Sequence, residues 1–457
     1  MKLNNKRTVL VGLAFLSICA FWQMYDNVVP LILSNTFRLN ETWTGMIMAA
    51  DNVLALFLLP LFGGLSDRIN TKIGRRMPFI LGGTAMAVVL MNILPRLARG
   101  YYFVPTSALL LGFIVVLGLL LVAMGTYRSP AVALMPDVTP KPLRSKANAI
   151  INLMGAIGGI VYLGVAAVLY SAKRVEAAYT LGSFVDADGS TVAVVDYTVL
   201  FAVVSVFMAA AVTVLFFTTR EPKLAAENKA YEEAHPEEIL TQKAEDGRET
   251  LPREVKKSLG FLLVSIALWF IGYNGLPPWF PTYVSRVMGE GLGGASTCLL
   301  VGTAGAIVSY IPIGNLASRI GRRKTIMGGA ALLATCFAVG YFVTVNADTI
   351  TPFMYVLFAL VGLAWAAINV NSLPMVVEMC KGSEVGKFTG YYYTFSMIAQ
   401  VVTPIAVGTL LNKIGYQTLF PYAAFFVACS FVTMLMVRHG DNKVTAKKGM
   451  DAYDVED

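Results

Sequence analysis

Long apolar runs alternate with short polar loops along the whole chain. Twelve runs reach the length of about 20 residues that a helix rising 1.5 Å per residue needs to cross the hydrocarbon core of a bilayer. They lie at about 8–34, 42–65, 78–97, 106–135, 147–171 and 196–219, and then at about 257–285, 295–317, 325–346, 352–379, 387–411 and 417–437. The pattern predicts an all-α membrane protein with six transmembrane helices on each side of a polar gap.

A basic loop after the second run returns in shortened form after the eighth run, at 314–324. Four anchors, Trp22, Asn27, Pro30 and Gly74, recur 247 positions later as Trp269, Asn274, Pro277 and Gly321. A long internal repeat of this kind indicates two homologous units. We therefore predict two pseudo-symmetric six-helix bundles at 1–219 and 257–437, a cytoplasmic linker at 220–256 and a cytoplasmic tail at 438–457.

Composition supports lipid as the solvent for most of the chain. Hydrophobic residues make up 56% and charged residues 14% of the sequence, and the mean hydropathy is +0.65, values that water-soluble domains of this size do not show. The net charge of +8 does not indicate nucleic-acid binding, because the basic residues lie in short loops between apolar runs. By our assignment, 28 of the 36 lysines and arginines fall in the termini and alternate loops, which the positive-inside rule places in the cytoplasm. We expect a multi-pass protein of the plasma membrane.

The sequence offers no catalytic constellation. Its two histidines, His235 and His439, lie outside the apolar runs, and neither a nucleophile triad nor metal-ligand spacing is found. We therefore predict no enzymatic activity, no metal site and no cofactor. What remains to be explained is the set of polar side chains inside lipid-length helices.

Asp26 is the most informative polar residue of the first half. With Gln23 and Pro30 it lies on one face of the first run, at spacings of i, i+3 and i+7. A charged side chain at a helix centre costs about 2.5–3.5 kcal/mol on insertion scales, so a carboxylate facing a central aqueous cavity explains Asp26 better than a structural hydrogen bond. Asp51 and Arg128 are similar cases, and Arg128 is the only basic residue deep inside a run. A purely structural ion pair is the alternative for them. The candidate substrate-binding residues of this half are Gln23, Tyr25, Asp26, Asp51, Asn52, Arg128 and Asn152, of which Asp26 and Asp51 are candidates for ion coupling.

The second half offers aromatic and amide groups in place of charges. Glycines and prolines near Pro277 and Pro278 must interrupt the seventh helix, and broken helices mark binding sites in transporters. Aromatic faces with amides suit a sugar, whose rings are apolar on their faces and hydroxylated at their rims; helix packing is the alternative role. The candidates are Tyr273, Asn274, Trp279, Trp365, Asn369, Asn371, Tyr392 and Gln400.

Charged residues also cluster at the helix ends assigned to the cytoplasm. We interpret them as an inner gate of ion pairs that form and break during transport, although static surface pairs would have the same sequence and would stabilise little. The gate candidates are Asp67, Arg68, Arg75, Arg76, Asp137, Arg322, Arg323 and Glu378.

The loop from Gly63 to Arg76 resembles the signature loop of the major facilitator superfamily, and the copy at 314–324 resembles its second half. The stretch from Gly74 to Ile80 is similar to that of the sucrose-transporter-like branch, which is related to the glycoside–pentoside–hexuronide cation symporters. The pattern from Arg128 to Asp137 also resembles that branch. The resemblance implies two six-helix bundles that alternate access to a central site.

The same resemblance bears on the coupling ion. Plant members have an acidic residue linked to proton coupling about three turns before the arginine, where this chain has Leu117. Asp26 or Asp51 would have to replace it. Related melibiose permeases bind sodium with aspartates of the second helix. Because Asp51 lies in the second run, sodium coupling is an alternative to proton coupling.

These observations predict a monomeric secondary transporter that carries a sugar, a glucoside or disaccharide, together with a proton by alternating access. The alternatives are a proton-coupled antiporter that exports drugs or metabolites, and a sodium-coupled glycoside symporter. Its expected partners are the small-molecule solute and the lipid bilayer, with no nucleic acid.

Overall fold

The computed structural model describes residues 3–140, 143–186, 191–234, 252–345, 347, 349–379 and 385–441. The helices of more than five residues in these segments are α1 (Asn5–Leu31), α2 (Glu41–Arg68), α3 (Met77–Phe103), α4 (Ser107–Val138), α5 (Arg144–Leu169), α6 (Thr198–Thr218), α7 (Glu221–Ala234), α8 (Arg253–Asn274), α9 (Leu276–Val287), α10 (Leu292–Ile320), α11 (Arg322–Val345), α12 (Pro352–Glu378), α13 (Val385–Lys413) and α14 (Leu419–Leu435). A π-helical segment, Ile32–Thr36, continues α1.

Twelve helical stretches of the described chain are long and apolar enough to cross a membrane. They correspond to the twelve apolar runs, which confirms the predicted multi-pass architecture. The seventh stretch, Arg253–Val287, contains α8 and α9, and the helix breaks at Gly275 between them. Pro277 and Pro278 follow the break, where a first helical turn tolerates residues without an N–H donor. The predicted interruption is therefore present.

The chain divides into two compact units. Unit 1 comprises Met1–Asn40, Ala50–Ile239 and Val284–Ser296, and unit 2 comprises Glu41–Ala49, Leu240–Tyr283 and Thr297–Asp457. Within unit 1 the closest helix pairs are α1 with α5, α3 with α4, and both α1 and α3 with α6. Within unit 2, α8 packs on α13, α11 packs on α12, and both α8 and α11 pack on α14. The same pairing in both units agrees with the internal repeat.

Close helix packing holds α1 and α5 together in unit 1. Gly158 of α5 lies against the backbone of α1, and a Cβ added there would be 2.0 Å from the carbonyl oxygen of Leu16. Because Gly158 has no side chain, the backbones of α1 and α5 approach closely at this position.

A β-hairpin in unit 1 was not predicted from the sequence. Strands β1 (Thr180–Val185) and β2 (Thr191–Val195) pair antiparallel, and residues 187–190 between them are outside the described segments. The ring of Phe184 lies between two guanidinium groups, with Cζ of Arg38 at 4.5 Å and Cζ of Arg286 at 5.3 Å from its centroid. Helix α7 lies in the segment predicted as the linker, whereas residues 235–251, which include His235, and 442–457 of the tail are not described.

Candidate functional site

A charged cluster in unit 1 brings together three candidates from three helices. Asp26 of α1 lies within electrostatic reach of Asp51 on α2 and of Arg128 on α4. The Arg128 guanidinium lies over the indole of Trp22, with Cζ 5.7 Å from the ring centroid, a distance at which a cation is attracted to an aromatic face. Trp22, Asp51 and Arg128 line a cleft of about 270 Å³ whose other walls are apolar.

Several polar groups in and beside this cluster have no hydrogen-bond partner within the described part of the chain. Oδ1 of Asp51 accepts from the backbone N–H of Asn52 at 2.6 Å and from its Nδ2 at 2.8 Å. Within the described part of the chain, the carboxylate of Asp26 has no hydrogen-bond partner, and the buried hydroxyl of Tyr25 and indole N–H of Trp22 have none either. Buried polar groups in native proteins are normally paired. These groups therefore point to a polar ligand or ion.

The other candidates of this unit lie on α1 and α5. Gln23 is half-buried and faces Gly159 of α5, where an added Cβ would be 3.7 Å from its Oε1. Asn152 is also half-buried, about two turns before Gly159 on the same helix. Trp22 was missed as a site residue, although its place in the repeat was visible from the sequence.

Unit 2 contains an aromatic cluster instead. The rings of Tyr273 on α8 and Trp365 on α12 stack at a centroid distance of 3.8 Å and an interplanar angle of 6°. Phe270 packs edge-on against Trp365 at 5.5 Å and against Tyr392 of α13 at 6.3 Å. The structure therefore brings three predicted aromatic candidates together, with Phe270, which the sequence analysis omitted, between them.

The amide side chains of unit 2 differ in their hydrogen bonding. Nδ2 of Asn371 donates to the carbonyl of Ala367 in its own helix at 2.9 Å, so this side chain is engaged locally. The side chains of Asn274, Asn369 and Gln400 have no hydrogen-bond partner among the residues that the structure describes. Trp279 is 1% exposed and packs close to Gly408. Trp279 thus lies in the core of unit 2.

The first basic loop forms an ion-pair network within unit 1. Asp137 accepts from Nε and Nη2 of Arg75 at 3.1 and 2.6 Å, and from Nε of Arg76 at 2.8 Å. Arg76 also pairs with Asp67. Burial disfavours the charged form of Arg76, but the two carboxylates leave its pKa above the ordinary value. Arg68 is exposed and has no ion-pair partner in the described segments.

The backbone of this loop is held by a residue that the sequence analysis missed. The carboxylate of Glu221, 2% exposed, accepts the backbone N–H groups of Arg75, Arg76 and Met77 at 2.8, 2.9 and 2.9 Å. These donors begin α3, where unpaired N–H groups and the helix dipole favour an anion. Gly74, with φ of 118°, lies directly against the carboxylate, so a side chain at this position would collide with it.

The second loop has the same construction within unit 2. Gly321 has φ of 95°, and the carboxylate of Asp441 accepts the backbone N–H of Arg322 at 2.6 Å and of Arg323 at 3.4 Å. Arg322 pairs with Glu378, as Arg75 pairs with Asp137. Arg323 instead donates to the carbonyl of Leu435 at 2.9 Å. Each loop thus holds a first arginine on a carboxylate at the end of the fourth helix of its own half.

Comparisons with known proteins agree with these features. A family model described as Major Facilitator Superfamily matches residues 11–311 and 291–452. Two Arabidopsis thaliana sucrose transport proteins are each 30% identical to the chain: SUC3 over 138 residues (28% of this chain, 23% of SUC3) and SUC4 over 129 residues (26% and 25%). An MFS-type transporter of Metarhizium rileyi, ppzB, is 25% identical over 143 residues (31% and 29%). The matches thus span about a quarter of the length of these relatives.

Solved structures resemble the whole chain at low identity. The nucleoside transporter NupG matches with a TM-score of 0.64 and 13% identity, over 94% of this chain and 100% of that one. A bacterial homologue of the iron transporter ferroportin gives 0.66 and 11%, over 95% and 99%, and the peptide transporter POT gives 0.62 and 11%, over 94% and 93%. At such identities the likeness shows the fold alone. Since the family model covers nearly the full length, the chain is a multi-pass membrane protein that belongs to the Major Facilitator Superfamily.

Proposed function

We propose that this transporter is a symporter that carries a sugar, a glucoside or disaccharide, together with one proton by alternating access. The observation that carries the proposal is the charge of the unit 1 cluster. Asp26 and Asp51 with Arg128 sum to one net negative charge when all three are ionised. An uncompensated charge in a low-dielectric site is unfavourable, so the cluster favours one bound cation.

The aromatic cluster of unit 2 supports a sugar as the solute. The Tyr273–Trp365 stack presents flat apolar surfaces, and the unpaired amides of Asn274, Asn369 and Gln400 add donors and acceptors. A sugar ring combines an apolar face with hydroxyl groups at its rim, so both kinds of group find partners. The partial similarity to sucrose transport proteins favours the same class of solute. We further propose that the protein acts as a monomer in the plasma membrane.

The charged cluster of unit 1 also provides a way to couple proton binding to sugar binding. A proton on Asp26 or Asp51 removes the net charge of the cluster and weakens the electrostatic attraction between that carboxyl group and the guanidinium of Arg128. A planar guanidinium binds two adjacent hydroxyls through parallel N–H donors. We propose that Arg128 takes up sugar hydroxyls after the cluster has been protonated, so that cation and solute bind together.

The experiment that tests this function measures uptake by purified protein in proteoliposomes. A panel of labelled glucosides, disaccharides and monosaccharides is offered under an imposed inward proton gradient, an inward sodium gradient, or neither. We expect accumulation of at least one sugar above equilibrium with the proton gradient alone. Accumulation driven by sodium alone would assign the cluster to sodium, and loss of preloaded solute on imposing the proton gradient would indicate antiport.

A further inference from the structure

The backbone of α4 is held on both sides of Arg128. The hydroxyl of Tyr127 donates to the carbonyl of Ala14 on α1 at 3.0 Å. On the other side of Arg128, Oγ of Ser129 donates to the carbonyl of Leu59 on α2 at 2.7 Å. These two bonds tie α4 to α1 and to α2, so the place from which the Arg128 side chain extends is fixed within unit 1.

The guanidinium of Arg128 is held differently. Among the residues that the structure describes, none forms a hydrogen bond or an ion pair with it. Its close neighbour is the indole of Trp22, whose ring centroid lies 5.7 Å from Cζ, and both side chains line the cleft of about 270 Å³. A free arginine side chain has many rotamers, and fixing it costs conformational entropy. A contact that restrains it before a ligand arrives reduces what binding must offset.

The indole of Trp22 is itself held by aromatic packing within α1. The ring of Phe21 packs edge-on against it at a centroid distance of 5.2 Å, and the ring of Tyr25 does so at 5.4 Å. The interplanar angles of 77° and 80° are typical of the edge-to-face geometry that aromatic pairs favour. Both neighbouring side chains are buried. Trp22 therefore offers a fixed aromatic surface to the guanidinium.

An indole differs from a carboxylate as a partner for this arginine, because it carries no charge that a proton can remove. Asp26 and Asp51 attract the guanidinium, and the attraction of either one weakens when it is protonated. The attraction of the indole comes from the quadrupole of its ring, so it is the same before and after a proton binds. A cation–π contact also uses none of the five N–H donors of the guanidinium.

We propose that Trp22 is a positioning residue for solute binding, an inference that rests on the proposed proton–sugar symport. Its indole keeps the guanidinium of Arg128 in the cleft after the cluster has taken up its proton. The N–H donors of Arg128 then meet the sugar hydroxyls without a prior search among rotamers. Trp22 thus acts through Arg128 and does not take part in proton binding.

Equilibrium binding of the best transported sugar tests this role. Trp22→Leu keeps an apolar side chain but removes the aromatic face, so we expect sugar affinity to fall about fivefold, the factor that corresponds to about 1 kcal/mol. Trp22→Phe keeps a weaker aromatic face, and its affinity should lie between those of Trp22→Leu and the wild type. Wild-type affinity in Trp22→Leu would overturn the proposal.

The ratio of protons to sugar separates positioning from coupling. Both carboxylates are intact in Trp22→Leu, so the ratio measured in proteoliposomes should equal that of the wild type while affinity falls. A lower ratio would place Trp22 in the proton-binding machinery and would refute the positioning role.

A double-mutant cycle tests whether Trp22 acts through Arg128, and it needs no sugar. We expect the unfolding temperatures of Trp22→Leu, Arg128→Gln and the double variant in detergent to be non-additive, with the double variant more stable than the two single changes together predict. Additive shifts would show that the two side chains do not interact, and the proposal would fail. Where sugar binding is measurable in Arg128→Gln, adding Trp22→Leu should change its affinity less than twofold, and a further fivefold loss would contradict a role through the arginine.

Trp43→Leu is the matched control, because it removes an indole from α2 at a position that is 59% exposed and is not among the residues that line the cleft. We expect sugar affinity in this variant to equal that of the wild type. A loss as large as that of Trp22→Leu would attribute the effect to the removal of any indole and would count against the proposal.

The wild-type protein distinguishes the positioning role from the function on which it rests. Proton-coupled sugar transport in the wild type, with an affinity that Trp22→Leu leaves intact, refutes the positioning role alone. A wild type that carries sugar with sodium, or carries no sugar, refutes the proposed proton symport and the role of Trp22 with it. Reduced affinity in Trp22→Leu, an unchanged ratio of protons to sugar and non-additive unfolding temperatures support both.

Discussion

The two units place different chemistry at equivalent positions of one repeat. Asp26 of unit 1 and Tyr273 of unit 2 are separated by the repeat offset of 247 residues and each lies beside a repeated asparagine. Asp26 belongs to a cluster with Asp51 and Arg128, whereas Tyr273 stacks on Trp365. Duplication therefore preserved the helix packing while the polar content diverged. In the proposed mechanism, the charged cluster of unit 1 binds the coupling ion, and the aromatic cluster of unit 2 contacts the apolar faces of the sugar.

The largest expected effect comes from removing the carboxylate from unit 1. We expect Asp26→Asn to reduce gradient-driven sugar accumulation by about 100-fold or more, because the site loses the group proposed to accept the proton. Counterflow exchange of labelled sugar should remain, since it requires no net movement of charge. Tyr273→Phe is the matched change in unit 2 and should leave coupling intact. Equal loss of accumulation in both variants would refute the division of roles.

The second comparison concerns the two basic loops. Glu221 is buried and accepts three backbone N–H groups of unit 1, so Glu221→Gln should cost about 2 kcal/mol, in the range for leaving buried partners unsatisfied. Asp441 is exposed, and Asp441→Asn should have a smaller effect because solvent replaces its bonds. Thermal unfolding in detergent measures both. An equal or larger loss of stability in Asp441→Asn would show that burial of the carboxylate does not decide how much it stabilises its loop.

Arg128→Lys tests whether the cation of unit 1 binds solute through its planar shape. An ammonium keeps the charge but cannot donate two parallel hydrogen bonds, so we expect sugar affinity to fall about tenfold, equivalent to about 1.4 kcal/mol. Equilibrium binding of the best transported sugar is the measurement. Arg96→Lys, at an exposed position of α3, is the control. Wild-type affinity in Arg128→Lys would assign this arginine to packing.

The smallest expected effect concerns the aromatic surface of unit 2. Trp365→Ala removes one partner of the stack with Tyr273, and we expect sugar affinity to fall about fivefold, in line with about 1 kcal/mol for an aromatic contact. The ratio of protons to sugar should not change, because the cluster of unit 1 is untouched. A changed ratio with normal affinity would place coupling in unit 2.

How far the sequence predicted the structure depends on the range of the interactions involved. Local rules were sufficient for the twelve spans and for the break at Gly275, because length, hydropathy and proline act within a few residues. The partner of each loop was not predictable in this way. Glu221 and Asp441 lie far along the chain from the loops they hold. They do not follow the repeat offset, because the stretch of chain between loop and carboxylate is longer in the first half than in the second.

The candidate site shows the same limit. The polar character of Asp26 and Arg128 was visible from the sequence, since charge inside an apolar run is conspicuous. That Phe270 packs against both Trp365 and Tyr392 was not visible, because these residues belong to different helices that meet only in the folded unit. The hairpin β1–β2 was also missed, as short strands outside the membrane spans leave little pattern beside twelve long apolar runs.

The central claim is that the cluster of Asp26, Asp51 and Arg128 takes up one proton with each sugar. The most direct test measures proton and labelled-sugar entry simultaneously in proteoliposomes held at zero membrane potential. The charge of the cluster predicts one proton for each sugar molecule in the wild type and none in Asp26→Asn. Sugar entry without protons in the wild type, or an unchanged ratio in Asp26→Asn, would contradict the account.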